Sequence, residues 1–70
     1  MKGPDFKPTV TIKMSGPEGN AFGVMGKSKR ALTAAGADRE YVAEYIQKAM
    51  SGDYDNLLAV TGEYVDLETY

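Results

Sequence analysis

Neither cysteine nor histidine occurs in this chain of 70 residues, and at that length their absence is the dominant constraint. A domain of this size buries barely enough apolar surface to offset its chain entropy, and small folds ordinarily add a disulfide or a structural metal. Without those side chains a disulfide is excluded, and so is an ordinary zinc site. The remaining stabiliser is self-association, which covers apolar surface that a lone chain leaves wet. A homodimer or homotetramer of one small domain is therefore expected.

Residues 1–8, "MKGPDFKP", hold Pro4 and Pro8, which cannot donate to a ladder, and read as a flexible N-terminal arm ahead of a single domain over 9–70. "TVTIKM" then alternates, with Val10, Ile12 and Met14 on one side and Thr9, Thr11 and Lys13 on the other, the pattern of a half-buried strand. "SGPEGN" is a turn, and Asn20 is a helix cap. The spacing predicts a helix from Ala21 to Ala35 stopped by Gly36, with Gly23 and Gly26 inside it. Each of those glycines costs about 1 kcal/mol relative to alanine, so close approach by another backbone or a ligand is expected there. Asp38 caps a second helix, "DREYVAEYIQKAM", that buries Val42, Ile46 and Ala49. Asp53 caps a third through Leu57, Leu58 and Thr61, stopped by Gly62. The tail "EYVDLETY" alternates again, with Val65 and Leu67 facing in and Asp66 and Glu68 facing out. The class that follows is α+β, in the order β-α-α-α-β, with a two-stranded antiparallel sheet. Its open edges call for pairing between copies or some other cover.

Residues 21–28, "AFGVMGKS", fit the loose form of a nucleotide-hydrolase phosphate loop. In such a loop the strand runs directly into the glycines, and the lysine and serine open the helix. Here Asn20 caps too early, so Lys27 and Ser28 fall about two turns inside the helix, where backbone N–H groups are already used. The better anion site is "GPEGN". Glycines ahead of a helix offer free N–H groups and the positive end of the dipole. The candidate ligand-binding residues are Gly16, Pro17, Glu18, Gly19, Asn20 and Phe22, with Lys27 and Arg30 supplying mobile positive charge. Glu18 opposes an anion unless it turns away; the same run also reads as a plain connector. Tyr41 and Tyr45, one turn apart, are assigned to a subunit interface, where tyrosine is enriched.

The net charge of −2 conceals an uneven split: six bases against two acids in residues 1–35, two bases against eight acids in residues 36–70. That suits an anion site in the first half or head-to-tail contact between subunits. Generic nucleic-acid binding is disfavoured, because such proteins are basic overall. Asp53, Asp55 and Asn56 lack the twelve-residue loop and closing glutamate of a calcium site, so no metal is assigned. No acid sits beside a nucleophile or a histidine, so neither an enzyme nor a cofactor is expected. There is no membrane-length apolar run and no signal peptide, which places the expected location in the cytoplasm.

"SGPEGNAF", followed by "AMSGDYDNLL" and a "YVDLE" tail, resembles a group of small phage-encoded proteins in which such a loop and a Ser-Gly-Asp-Tyr segment recur at this spacing. The resemblance covers nearly the whole chain after residue 8. It implies a phage origin and action in the host cytosol. Phage proteins of this size include oligomeric sponges that hold cyclic-nucleotide signals of antiphage defence, and by that analogy the resemblance implies cyclic di- or trinucleotides as partners, bound without hydrolysis. Two other classes fit the residues. One is a protein-binding inhibitor using the acidic half; the other is an accessory phage protein with no ligand.

Overall fold

The computed structural model describes all 70 residues, and each of its three helices starts at an expected polar cap. Asn20 Oδ1 accepts from the Gly23 N–H at 2.7 Å and opens α1 (Ala21–Ala34). Asp38 accepts from Tyr41 at 2.9 Å and opens α2 (Arg39–Ala49). Asp53 accepts from Asn56 at 3.0 Å and opens α3 (Tyr54–Tyr64). These bonds satisfy N–H groups that the helix itself leaves without acceptors. Two short strands flank the helices, β1 (Thr9–Ile12) and β2 (Asp66–Thr69), and a single 3-10 turn at Pro17–Gly19 leads into α1. Gly36 ends α1 region at a φ of 105°, the left-handed conformation that favours glycine.

The α+β class holds, but the sheet is parallel where an antiparallel pair was expected: Thr9 lies opposite Asp66 and Ile12 opposite Thr69. The reason is the number of reversals between the strands. The C-terminal end of α1 returns to the start of the chain, where the Asp5 N–H donates to the Ala35 carbonyl at 2.7 Å. The start of α3 lies at the far end, where the Tyr54 hydroxyl donates to the Gly19 carbonyl. Its last turn is back beside β1, where the Asp66 N–H meets the Pro8 carbonyl at 2.8 Å. Three helices reverse the chain three times after β1 has turned into α1, so β2 leaves in the direction β1 ran. A parallel pair needs such a long crossover, and this chain supplies it.

Two boundaries also differ. β1 ends at Ile12, and Met14, expected on the inner face, is 37% exposed. α3 continues through Gly62, where a stop was expected. A side chain at Gly62 would meet open space, and continuing the helix carries Val65 into the core at 0% exposure. The core itself draws Val10 and Ile12 from β1, Val24 and Leu32 from α1, and Leu57 from α3. Tyr45 is enclosed among them at 0% exposure, its hydroxyl 2.7 Å from Thr61 Oγ1, so two buried polar atoms satisfy each other. No helix is long and apolar enough to cross a membrane.

Residues 1–8 form neither helix nor strand, yet they are joined to the helices. The Lys2 N–H donates to Asp38 Oδ2 at 2.7 Å, and the Asp38 N–H donates to the Lys2 carbonyl at 2.9 Å. Pro8 is buried. The Tyr41 N–H, and after it the Lys2 N–H, holds the Asp38 carboxyl below its ordinary value of 3.8. A carboxyl depressed on folding stabilises the fold above its unfolded value and loses that contribution as the pH falls through the folded one. Asp38→Ala should therefore lower the thermal midpoint at pH 7, and the gap from the parent should narrow as the pH falls below 3.8.

The two glycines inside α1 differ in a way the sequence does not reveal. A Cβ on Gly23 would lie 2.6 Å from the Glu18 carbonyl oxygen and 2.7 Å from the Glu18 Cα, whereas one on Gly26 would meet nothing within 4 Å. Backbone approach therefore explains Gly23 and not Gly26. Gly23→Ala should destabilise by about 1–3 kcal/mol, as overpacking does. Gly26→Ala should stabilise by up to about 1 kcal/mol from helix propensity. Urea denaturation of the two variants checks both signs.

Candidate functional site

The turn before α1 is tied together by its own backbone. The Gly16 N–H donates to Lys13 at 3.0 Å, and the Gly19 N–H donates to Gly16 at 3.1 Å. Pro17 has no N–H, and the Gly23 N–H is held by Asn20 at 2.7 Å. Gly19 has no room for a side chain, since a Cβ would run into the Met14 carbonyl, and its own carbonyl accepts from Tyr54. Much of the N–H array expected to face a phosphate is thus committed internally.

Lys27, expected as a mobile cation, reaches across this turn. Its Nζ donates to the Thr11 carbonyl at 2.6 Å and lies 3.4 Å from Glu18 Oε2. The ion pair is half exposed and weak; the bond to Thr11 ties α1 to β1. Glu18 therefore stays beside the turn and contributes negative charge there. Ser28, the other half of the apparent phosphate-loop signature, is fully buried, and its Oγ has no hydrogen-bond partner. A group in that position cannot meet a metal–nucleotide complex at the surface. Phe22 is 78% exposed and Arg30 is exposed without an ion-pair partner, so both stay open to solvent.

The expected interface tyrosines belong to an intramolecular cluster. Tyr45 is inside the protomer, a correction to its surface assignment, because its hydroxyl has a buried partner in Thr61. Tyr41 is half buried and meets Tyr64 edge-on, with ring centroids 5.5 Å apart. Tyr64 also packs on Tyr45 at 5.1 Å, and Lys48 lies over the Tyr64 ring at 5.9 Å. The stripe joins α2 to α3 and leaves little tyrosine surface for a second chain.

A different place has the features of a ligand site. Between α1 and α2 runs a groove of about 620 Å³ whose apolar lining is Ala37, Val42, Ala43 and Ile46. Lys29 and Thr33 line it from α1, and Arg39 and Gln47 from α2. No acid lines it, and neither Lys29 nor Arg39 enters an ion pair. Two unpaired cations, a hydroxyl and an amide beside an apolar lining suit an anion that carries an apolar or aromatic body. Sequence reasoning passed over all four polar residues. The available signal was the width of the apolar face of α2, where Val42, Ala43 and Ile46 exceed what one core contact needs. A smaller hollow of about 240 Å³ lies at the opposite end of α1, among Phe22, Met25, Met50, Tyr54 and Leu57.

Compared with protein-family models, curated proteins and solved structures, the chain matches none. The fold is described by its own geometry: α1 and α3 pack on a two-stranded parallel sheet, and α2 packs on those two helices.

Ser28→Ala removes a buried oxygen without an acceptor, and an unsatisfied buried hydroxyl costs about 1–3 kcal/mol. The variant should fold with an unchanged or raised thermal midpoint, and a fall of several degrees would show that Ser28 has a partner after all.

Proposed function

We propose that this chain binds and sequesters an anionic nucleotide-type signal without turning it over, in the cytosol of a phage-infected cell. The groove between α1 and α2 takes the phosphates in this reading, in place of the Gly-Pro-Glu-Gly turn. One observation carries it: Lys29 and Arg39 stand unpaired beside apolar side chains in a groove that no acid lines. Its volume of about 620 Å³ falls in the range of small-molecule sites. Arg39 offers a planar fork to a phosphate, Lys29 a point charge, and the apolar lining accepts a base or ribose edge. The analogy with phage sponges supplies the ligand class, cyclic di- or trinucleotides.

Self-association belongs to the same proposal. Phe22, Met50 and Tyr54 expose apolar surface around the smaller hollow, and a homodimer or homotetramer would bury it there. Sedimentation at micromolar concentration should show a species heavier than the 7.6 kDa chain, and Phe22→Asp should return it to that mass.

Calorimetric titration with a panel of cyclic di- and trinucleotides tests the ligand. Arg39→Ala and Lys29→Ala should each weaken binding about tenfold or more, the usual loss for a charge-assisted hydrogen bond. Arg30→Ala, outside the groove, should leave affinity unchanged. Loss of binding in Arg30→Ala with none in Lys29→Ala or Arg39→Ala would reject the groove as the site. No heat with any nucleotide from folded protein would reject the sponge and favour the protein-binding inhibitor.

A further inference from the structure

The two outer edges of the sheet are not equivalent. In a parallel ladder alternate residues of each strand turn their backbone groups toward the partner, and the rest turn away. The Asp66 N–H meets the Pro8 carbonyl at 2.8 Å, and the Tyr70 N–H meets the Ile12 carbonyl at 3.0 Å. With the observed register, Asp66, Glu68 and Tyr70 face β1, while Leu67 and Thr69 face outward. On the β1 side the outward residues are Thr9, Thr11 and Lys13. Two of their carbonyls are occupied: Thr11 accepts from Lys27 Nζ at 2.6 Å and Lys13 from the Gly16 N–H at 3.0 Å. That edge is guarded. The β2 edge is not, for no strand lies beyond it and no bond reaches the outward groups of Leu67 or Thr69.

We propose that the free edge of β2 is a docking rail for an extended peptide of alternating basic and apolar residues, added as a third strand. Backbone pairing would come from Leu67 and Thr69, the mode by which sheet edges capture peptides. Side-chain chemistry sets the partner. On the open face of the sheet Asp66 and Glu68 are exposed and in no ion pair, and no lysine or arginine occurs after Lys48. On the helix side Leu67 is half buried against the core. An added strand therefore sets its bases beside the two carboxylates and its apolar residues beside Leu67. A second copy fits badly. Antiparallel pairing of two β2 strands about Leu67 sets Asp66 of each copy against Glu68 of the other, and like charges directly opposite are destabilising.

The test uses the full chain and two synthetic peptides, one alternating lysine with valine and one of the same composition with the lysines in a single block. Fluorescence anisotropy should show the alternating peptide binding about tenfold tighter or more, because only it matches the strand period. The Leu67 and Thr69 amides should gain hydrogen-exchange protection on its addition. Leu67→Pro removes an outward N–H without touching the ladder to β1, and should abolish binding. If that variant does not fold, Asp66→Lys with Glu68→Lys serves instead, and should abolish binding with an unchanged circular dichroism spectrum. Equal binding of the two peptides overturns the proposal. So does undiminished binding to a folded variant, or a dimer in sedimentation that either variant abolishes.

Discussion

The parallel pairing of β1 with β2 closes residues 13–65 into one loop, and the rest of the architecture serves that closure. Loop-closure entropy rises only slowly with length, so a long connection is affordable, but it must end with the strands side by side and running the same way. Three helices with side-chain caps deliver that geometry. Tyr45, Tyr41 and Tyr64 lock α2 to α3, and the Lys27 bond to Thr11 locks α1 to β1. With few buried residues and no covalent cross-link, such contacts between elements carry a large share of the specificity.

The same closure separates the charged residues into working surfaces. Lys27, drawn to the strand edge, is paired with Glu18; Lys29 and Arg39, on facing parts of α1 and α2, are left without acids. The acids Asp66 and Glu68 are exposed on the open face of the sheet and enter no ion pair. The fold brings Lys29 from the basic half beside Arg39 from the acidic half in one groove and leaves two of the acids on a strand. Attraction and repulsion at those surfaces are screened by salt, so both are sensitive to ionic strength.

The glycines show how far local pattern reaches. Gly23 and Gly26 look alike in sequence, three apart in one helix, and only the packing distinguishes them. The Glu18 backbone presses against the first and nothing faces the second. Ser28 is a parallel case. Its place two turns inside α1 was legible from the Asn20 cap, but its burial without a partner depends on which face of α1 meets the core.

The sequence by itself determined where the elements lie. Asn20, Asp38 and Asp53 act on N–H groups three residues away, and the alternation of Val10 and Ile12 with Thr9 and Thr11 marks a buried face within four residues. Signals of that range survive without knowledge of the fold. Only the tertiary structure decided the sense of the sheet, the enclosure of Tyr45, the tether of Lys27 and the pairing of Lys29 with Arg39 across a groove. Each of those depends on how two elements remote in sequence come to lie against each other. That arrangement is set by the sum of many weak contacts, and no short stretch of residues encodes it.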